Sequence, residues 1–134
     1  MTKNKTAVVT GAGGTLCSAI AIDLASRGYN VVVLGRSMEK LQITADKIRA
    51  AGGECLPISA DVRDEARMKE VHDEVFAKYG AVSVLINGAG GNQPDAVTTI
   101  NEFDPKELSS DFDGRGFFNL SADKIRDVID INVM

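Results

Sequence analysis

Cysteine, histidine and long apolar runs are the scarce ingredients of this chain. Its two cysteines, Cys17 and Cys55, lie far apart in apolar segments. That argues against a disulfide framework and fits a reduced compartment. No ligand cluster surrounds either one, so both read as small buried hydrophobes. The one histidine, His72, stands beside Val71 on a charged helical stretch and is expected at the surface, with no metal site. No apolar run approaches membrane-spanning length. Met1-Thr2-Lys3-Asn4-Lys5 leads straight into a strand-like segment, without the apolar region of a signal peptide. Basic charge is not in excess: the formal net charge is −4, so neither nucleic acid nor an anionic membrane is expected as a partner. Repeats, low-complexity tracts and linkers are also absent. The expectation is a single soluble, cytoplasmic domain over residues 1–134.

What the chain does have is rhythm. Thr6 to Thr10 reads as a short buried strand, and Leu16, Ile20 and Leu24 then recur at helical spacing up to Gly28, a natural C′ residue. Asn30 to Leu34 is a second β-branched run. Ser37 can cap a helix with Leu41, Ala45 and Ile48 on its buried stripe, ending at Gly52-Gly53. Glu54 to Ser59 is a third strand, and Pro57 places it at a sheet edge. Asp64 caps a third helix carrying Met68, Val71, Val75 and Tyr79 on one face, stopped by Gly80. Val82 to Ile86 is a fourth strand. This alternation predicts right-handed βαβ units and a parallel sheet covered on both faces, an α/β fold. From Gly88 to Leu120 the rhythm breaks into a long irregular segment, with a helical turn expected around Asp104 to Leu108. Ser121 then starts a last helix, with Ile125, Val128 and Ile129 expected to face inward.

The residues that carry chemistry sit at strand ends. Val8-Val9-Thr10-Gly11-Ala12-Gly13-Gly14-Thr15-Leu16 is a strand, a glycine-rich turn and a helix start. Such a turn lets backbone N–H groups approach a pyrophosphate at the positive end of a helix. Gly11 and Gly13 fit the first two positions of a dinucleotide fingerprint, while Leu16 or Cys17 occupies the place of the third glycine. The competing reading is a tight turn that needs glycine for its own geometry. At the end of the second strand stands Leu34-Gly35-Arg36-Ser37, an arginine without an acid. A guanidinium suits a 2′-phosphate and an acid suits a ribose 2′-hydroxyl, so Arg36 favours NADP, with NAD as the alternative. Arg115, in Gly114-Arg115-Gly116, is expected to be an ordinary loop arginine.

Thr10-Gly11-x-x-x-x-Leu16, Asp61-Val62 after the third strand and Ile86-Asn87-Gly88-Ala89-Gly90 after the fourth together resemble the short-chain dehydrogenase/reductase family. The resemblance covers essentially the whole chain and implies a Rossmann-type parallel sheet, incomplete at about four strands. It implies that Gly11, Gly13, Gly14, Thr15 and Leu16 hold the pyrophosphate and that Asp61 and Val62 flank the adenine. It also implies that Asn87, Gly88, Ala89 and Gly90 line the cofactor groove. Asn132, in Asp130-Ile131-Asn132-Val133, matches the family's helix asparagine, which helps organise a catalytic lysine and a water; here it shares the stripe of Ile125. Gly90-Gly91-Asn92-Gln93-Pro94-Asp95 and the segment after it resemble the D-mannonate oxidoreductase or fructuronate reductase branch, which acts on small sugar acids.

The family's acid/base is a tyrosine with a lysine four residues later, since a phenol near pKa 10 needs a cationic neighbour at neutral pH. Here Tyr29 is followed by Val33 and Tyr79 by Ser83. The catalytic serine, tyrosine and lysine are therefore expected beyond Met134, and the chain alone is expected to be inactive. The fourth strand, central in the family, becomes an edge that invites pairing with another copy, a homo-oligomer.

Overall fold

The computed structural model describes residues 5–133; the lead-in Met1–Asn4 and the terminal Met134 lie outside the described residues. The chain divides into two compact units, Met1–Ala89 and Gly90–Met134.

The first unit is the predicted alternation. β1 (Thr6–Thr10), β2 (Asn30–Gly35), β3 (Cys55–Ser59) and β4 (Val82–Ile86) form one sheet in the order β3-β2-β1-β4. All three pairings are parallel. Between the strands run α1 (Thr15–Ser26), α2 (Met38–Ala50) and α3 (Glu65–Tyr79). Side chains alternate across a strand, and β2 shows the consequence. Val31 and Val33 join a core with Cys17 and Ala21 of α1 and Leu41, Ala45 and Ile48 of α2. Val32 and Leu34 point the other way, into a core with Val71, Val75 and Tyr79 of α3. This is a Rossmann-type α/β sheet with helices on both faces.

Local signals set the helix boundaries. Ser37 and Asp64 accept hydrogen bonds from Lys40 N and Arg67 N and so cap α2 and α3. Gly28, Gly52 and Gly80 follow helices with φ of +85°, +83° and +80°. β3 is an edge strand, where the missing N–H of Pro57 leaves no gap inside the sheet.

One expectation is corrected here. In α1 the buried residues are Cys17 and Ala21, while Leu16 is 73% exposed. The stripe therefore begins one residue after Leu16 and runs through Cys17, Ala21 and Leu24, because β1 and β2 meet the smaller side chains. β4 is the expected edge strand: with one neighbour it leaves Val82 44% and Leu85 57% exposed.

The second unit holds three single 3-10 turns, Pro94–Ala96, Pro105–Leu108 and Phe117–Asn119, and α4 (Ala122–Asn132), capped by Ser121. The expected turn at Asp104 to Leu108 is present, with Asp104 as its cap. The inward stripe of α4 is not: none of its residues is buried, and Ile125 and Ile129 are 38% and 44% exposed.

Candidate functional site

In a parallel sheet every strand ends at the same edge. β1 passes to β2 on one side, and the chain later returns to β4 on its other side. Such a reversal opens a crevice beyond the strand ends, the usual ligand position in an open α/β sheet. Here that switch point lies where Gly11 meets the turn after β4.

Gly11 has φ +68°, and a Cβ there would overlap the carbonyl of Gly88 and lie 2.9 Å from Ala89 N. The two turns thus touch backbone to backbone, which only glycine allows at this position. Thr10 ties them together. Its hydroxyl donates to Ile86 O at 3.3 Å and accepts from Gly88 N at 2.9 Å and Ala89 N at 3.0 Å. Gly14 N donates to Gly11 O at 3.0 Å and closes the turn.

Cys17 stands where a third glycine was expected, and the structure shows how it fits. Its sulfur lies against Gly88, where a Cβ would overlap it. The space lost at one glycine position is recovered at another, so the close approach of α1 is kept.

α1 begins at Gly14 with no side-chain cap and no acid in its first turn. The other three α-helices each have a capping side chain. The N–H groups near Thr15 and Leu16 are thus left for an anion. From α2, Thr44 Oγ1 donates to Ala12 O at 3.1 Å, and Lys40 Cβ lies 3.0 Å from where a Cβ on Gly13 would be. Both residues brace the turn, and neither was legible from spacing.

Arg36 is exposed just past β2, and its carbonyl accepts a hydrogen bond from Ser59 at 3.0 Å. Beyond β3, Asp61 forms a two-toothed pair with Arg63, at 3.1 Å to Nε and 2.8 Å to Nη2, and accepts from Arg63 N at 3.0 Å. Arg63 holds the Asp61 carboxyl down to about 2 through its side-chain and backbone hydrogen bonds, with a smaller pull from Arg36. Asp61 is therefore an anion at neutral pH. Arg63 was missed, although an aspartate that accepts from the backbone two residues on, as Asp61 does here, is a turn signal. Val62 is half-buried against the α3-side core. Asn87 is exposed.

In the second unit, Asn132 clamps a backbone. Its Nδ2 donates to Gly91 O and Val128 O, each at 2.7 Å, and its Oδ1 accepts from Gly91 N at 3.2 Å. A Cβ on Gly90 would lie 2.6 Å from that oxygen. The partners of this amide are thus main-chain groups, and Asn132 itself is exposed rather than on a buried stripe. Arg115 donates to Val97 O at 3.1 Å and pairs with Asp95 at 3.7 Å, a structural loop arginine. His72 is exposed, 3.0 Å from Asp73. Among the described residues there is no metal-ligand group of three and no helix long and apolar enough to cross a membrane.

Comparison with known proteins fits this geometry. The family model for short chain dehydrogenase matches residues 5–134. The uncharacterized oxidoreductase UxuB of Bacillus subtilis (strain 168) is 42% identical over 119 residues, which is 87% of this chain and 43% of that protein. A proposed D-mannonate oxidoreductase from Haemophilus influenza, crystallised with bound NAD, superposes with a TM-score of 0.87 at 34% identity, covering 98% of this chain and 46% of that one. An actinorhodin polyketide ketoreductase variant with NADPH gives a TM-score of 0.76 at 28% identity, covering 96% and 42%. The chain spans less than half the length of each of these relatives.

Proposed function

The chain belongs to the short chain dehydrogenase family, and from that premise we propose that it is the cofactor-binding N-terminal part of an NADP(H)-dependent oxidoreductase, with NAD(H) as the alternative cofactor. The observation that carries this is the strand-order reversal between β1 and β4, where Gly11 lies against Gly88 and Ala89 beside an uncapped helix N-terminus.

The residues present fit a dinucleotide. Gly11, Gly13 and Gly14 let the pyrophosphate come close to the backbone, and the amides of Thr15 and Leu16 point positive charge at it. Arg36 meets the 2′-phosphate with paired N–H groups. Asp61, kept ionised by Arg63, and Val62 flank the adenine. Asn87, Gly88, Ala89 and Gly90 line the groove, and Asn132 fixes Gly91 beside it in sequence as the one catalytic-tetrad residue present. When bound, the nicotinamide donates or accepts a hydride. The complete enzyme acts on a keto or hydroxy group of a small molecule, and similarity to the proposed D-mannonate oxidoreductase supports a sugar acid such as mannonate or fructuronate. It works in the cytoplasm as a homo-oligomer. No Tyr-x-x-x-Lys pair occurs in this sequence, so the chain alone binds cofactor without turning substrate over. The same absence favours a second reading, a non-catalytic dinucleotide-binding module.

Titration of the chain with NADPH and NADH tests the proposal. NADPH is expected to saturate and to bind more tightly than NADH. Arg36→Ala is expected to remove about 1.5–3 kcal/mol from NADPH binding, the worth of hydrogen bonds to a charged group, and to leave NADH unchanged. No saturable binding of either would sink the proposal. Carbonyl reduction by this chain alone would separate it from both readings.

A further inference from the structure

The second unit buries only two of its described residues, and they face each other: Gly116 and Glu107. A Cβ on Gly116 would overlap the Glu107 carboxyl, so a glycine at 116 is what admits the glutamate. Glu107 is 4% exposed, and its Oε2 has no hydrogen-bond partner among the described residues. That oxygen is packed against Gly116, and a buried carboxyl oxygen without a donor is costly and calls for one.

Local structure holds it there. Asp104 Oδ1 accepts from Lys106 N at 2.9 Å and starts the turn that carries Glu107. Thr99 N donates to Arg115 O at 2.7 Å and Thr99 Oγ1 accepts from Arg115 N at 2.8 Å, closing the neck of the loop between them. Asn119 Oδ1 accepts from Gly116 N at 2.7 Å.

Glu107 lines a cavity of about 470 Å³, together with Glu102, Ile100, Phe103, Phe117 and Phe118. That volume is in the range of small-molecule sites. The rings stand edge to face, with centroids 6.0 Å apart for Phe103 and Phe118 and 5.4 Å for Phe117 and Phe118. They are 59%, 74% and 64% exposed in chain order, so apolar surface is available to a guest. Among the described residues, no lysine, arginine or histidine lines the cavity. Ring faces are negative and attract cations, and both carboxylates add to that field.

We propose that this cavity binds a small organic ammonium ion, a protonated amine on an apolar body. The ammonium group donates to Glu107, whose carboxyl turns from Gly116 toward the cavity on binding, Glu102 adds negative charge, and the apolar body covers the phenyl rings. A sugar acid would be repelled by the same charges, so this site differs in chemistry from that of the anionic substrate proposed above. It rests on residues between Ile100 and Phe118 and not on the cofactor reading.

Fluorine NMR titration of the full chain with fluorobenzylammonium, fluorobenzyl alcohol and fluorobenzoate tests it. The ammonium ion is expected to bind saturably, about tenfold more tightly than the alcohol, and the carboxylate not at all. Glu107→Gln, nearly isosteric, is expected to weaken the ammonium ion about tenfold and to leave the alcohol within about twofold. Equal binding of ammonium ion and alcohol, saturable binding of the carboxylate, or no saturable shift at all overturns the proposal. So does undiminished ammonium binding by Glu107→Gln. The series on the unmodified chain decides the matter if that variant does not fold. Saturation with NADPH is expected to leave it unchanged, and binding of the ammonium ion by a chain that takes no dinucleotide would refute the cofactor reading alone.

Discussion

Placing alanine at Gly88 probes how a glycine motif tolerates Cys17. A Cβ at Gly88 would overlap the Cys17 sulfur, lie 2.8 Å from Thr10 O and lie 3.5 Å from Cys17 Cβ. The last is ordinary van der Waals contact, while the middle one is closer than a Cβ comes to backbone, so the Thr10 carbonyl must shift. Overpacking of this kind costs roughly 2–3 kcal/mol. Cys17→Ala alone removes one buried sulfur and costs about 1 kcal/mol. In the Cys17→Ala background the sulfur overlap is gone and only the Thr10 carbonyl resists, so Gly88→Ala then costs about 1 kcal/mol. The double variant is expected to be more stable than the sum of the singles by about 1–2 kcal/mol, within the range of coupled neighbours. Equilibrium urea unfolding of the four proteins, followed by circular dichroism, measures this. Additivity within about 0.5 kcal/mol, the behaviour of independent sites, would refute the argument that sulfur and glycine share one space.

Other outcomes follow from the same geometry. Cys55 is 2% exposed, and burial pushes its thiol up to about 11; it is expected to resist a thiol reagent at neutral pH until urea unfolds the chain, and fast labelling of the folded protein would contradict this. The exposed face of β4 is expected to drive self-association, and Leu85→Lys to shift the light-scattering mass toward monomer at a cost below about 0.5 kcal/mol; an unmodified chain that stays monomeric at high concentration would count against it. Asp61 is held below its unfolded value, so its stabilisation is complete above the unfolded carboxylate range and is lost as pH falls toward about 2. With the pair 31% and 42% exposed, Asp61→Asn is expected to cost less than about 1 kcal/mol at neutral pH. That gap should close on acid titration, and one that widened would reverse the sign assigned here.

Much of the fold was legible because its signals are local. Ser37, Asp64 and Ser121 cap helices through hydrogen bonds three residues away, and β-branched runs alternate across a sheet wherever they fold. The phase of α1 was not legible: Thr15 to Ser26 carries apolar residues on several sides, so leucine spacing alone could not choose the buried face. α4 fails for the opposite reason. Its pattern is clear, yet its apolar residues are left half-exposed.

By itself, then, the sequence determined the order of elements, the helix caps, the glycine turn after β1 and the arginine after β2. Each depends on residues a few positions apart, so short-range sterics and hydrogen bonding suffice. Only the tertiary structure decided that Gly11 lies on Gly88, that Cys17 fills the space above that glycine and that Thr10 joins two strand ends. The burial of Glu107 against Gly116 was decided there too. These contacts join residues brought together by chain return, and whether a side chain fits is set by the space its distant neighbour leaves.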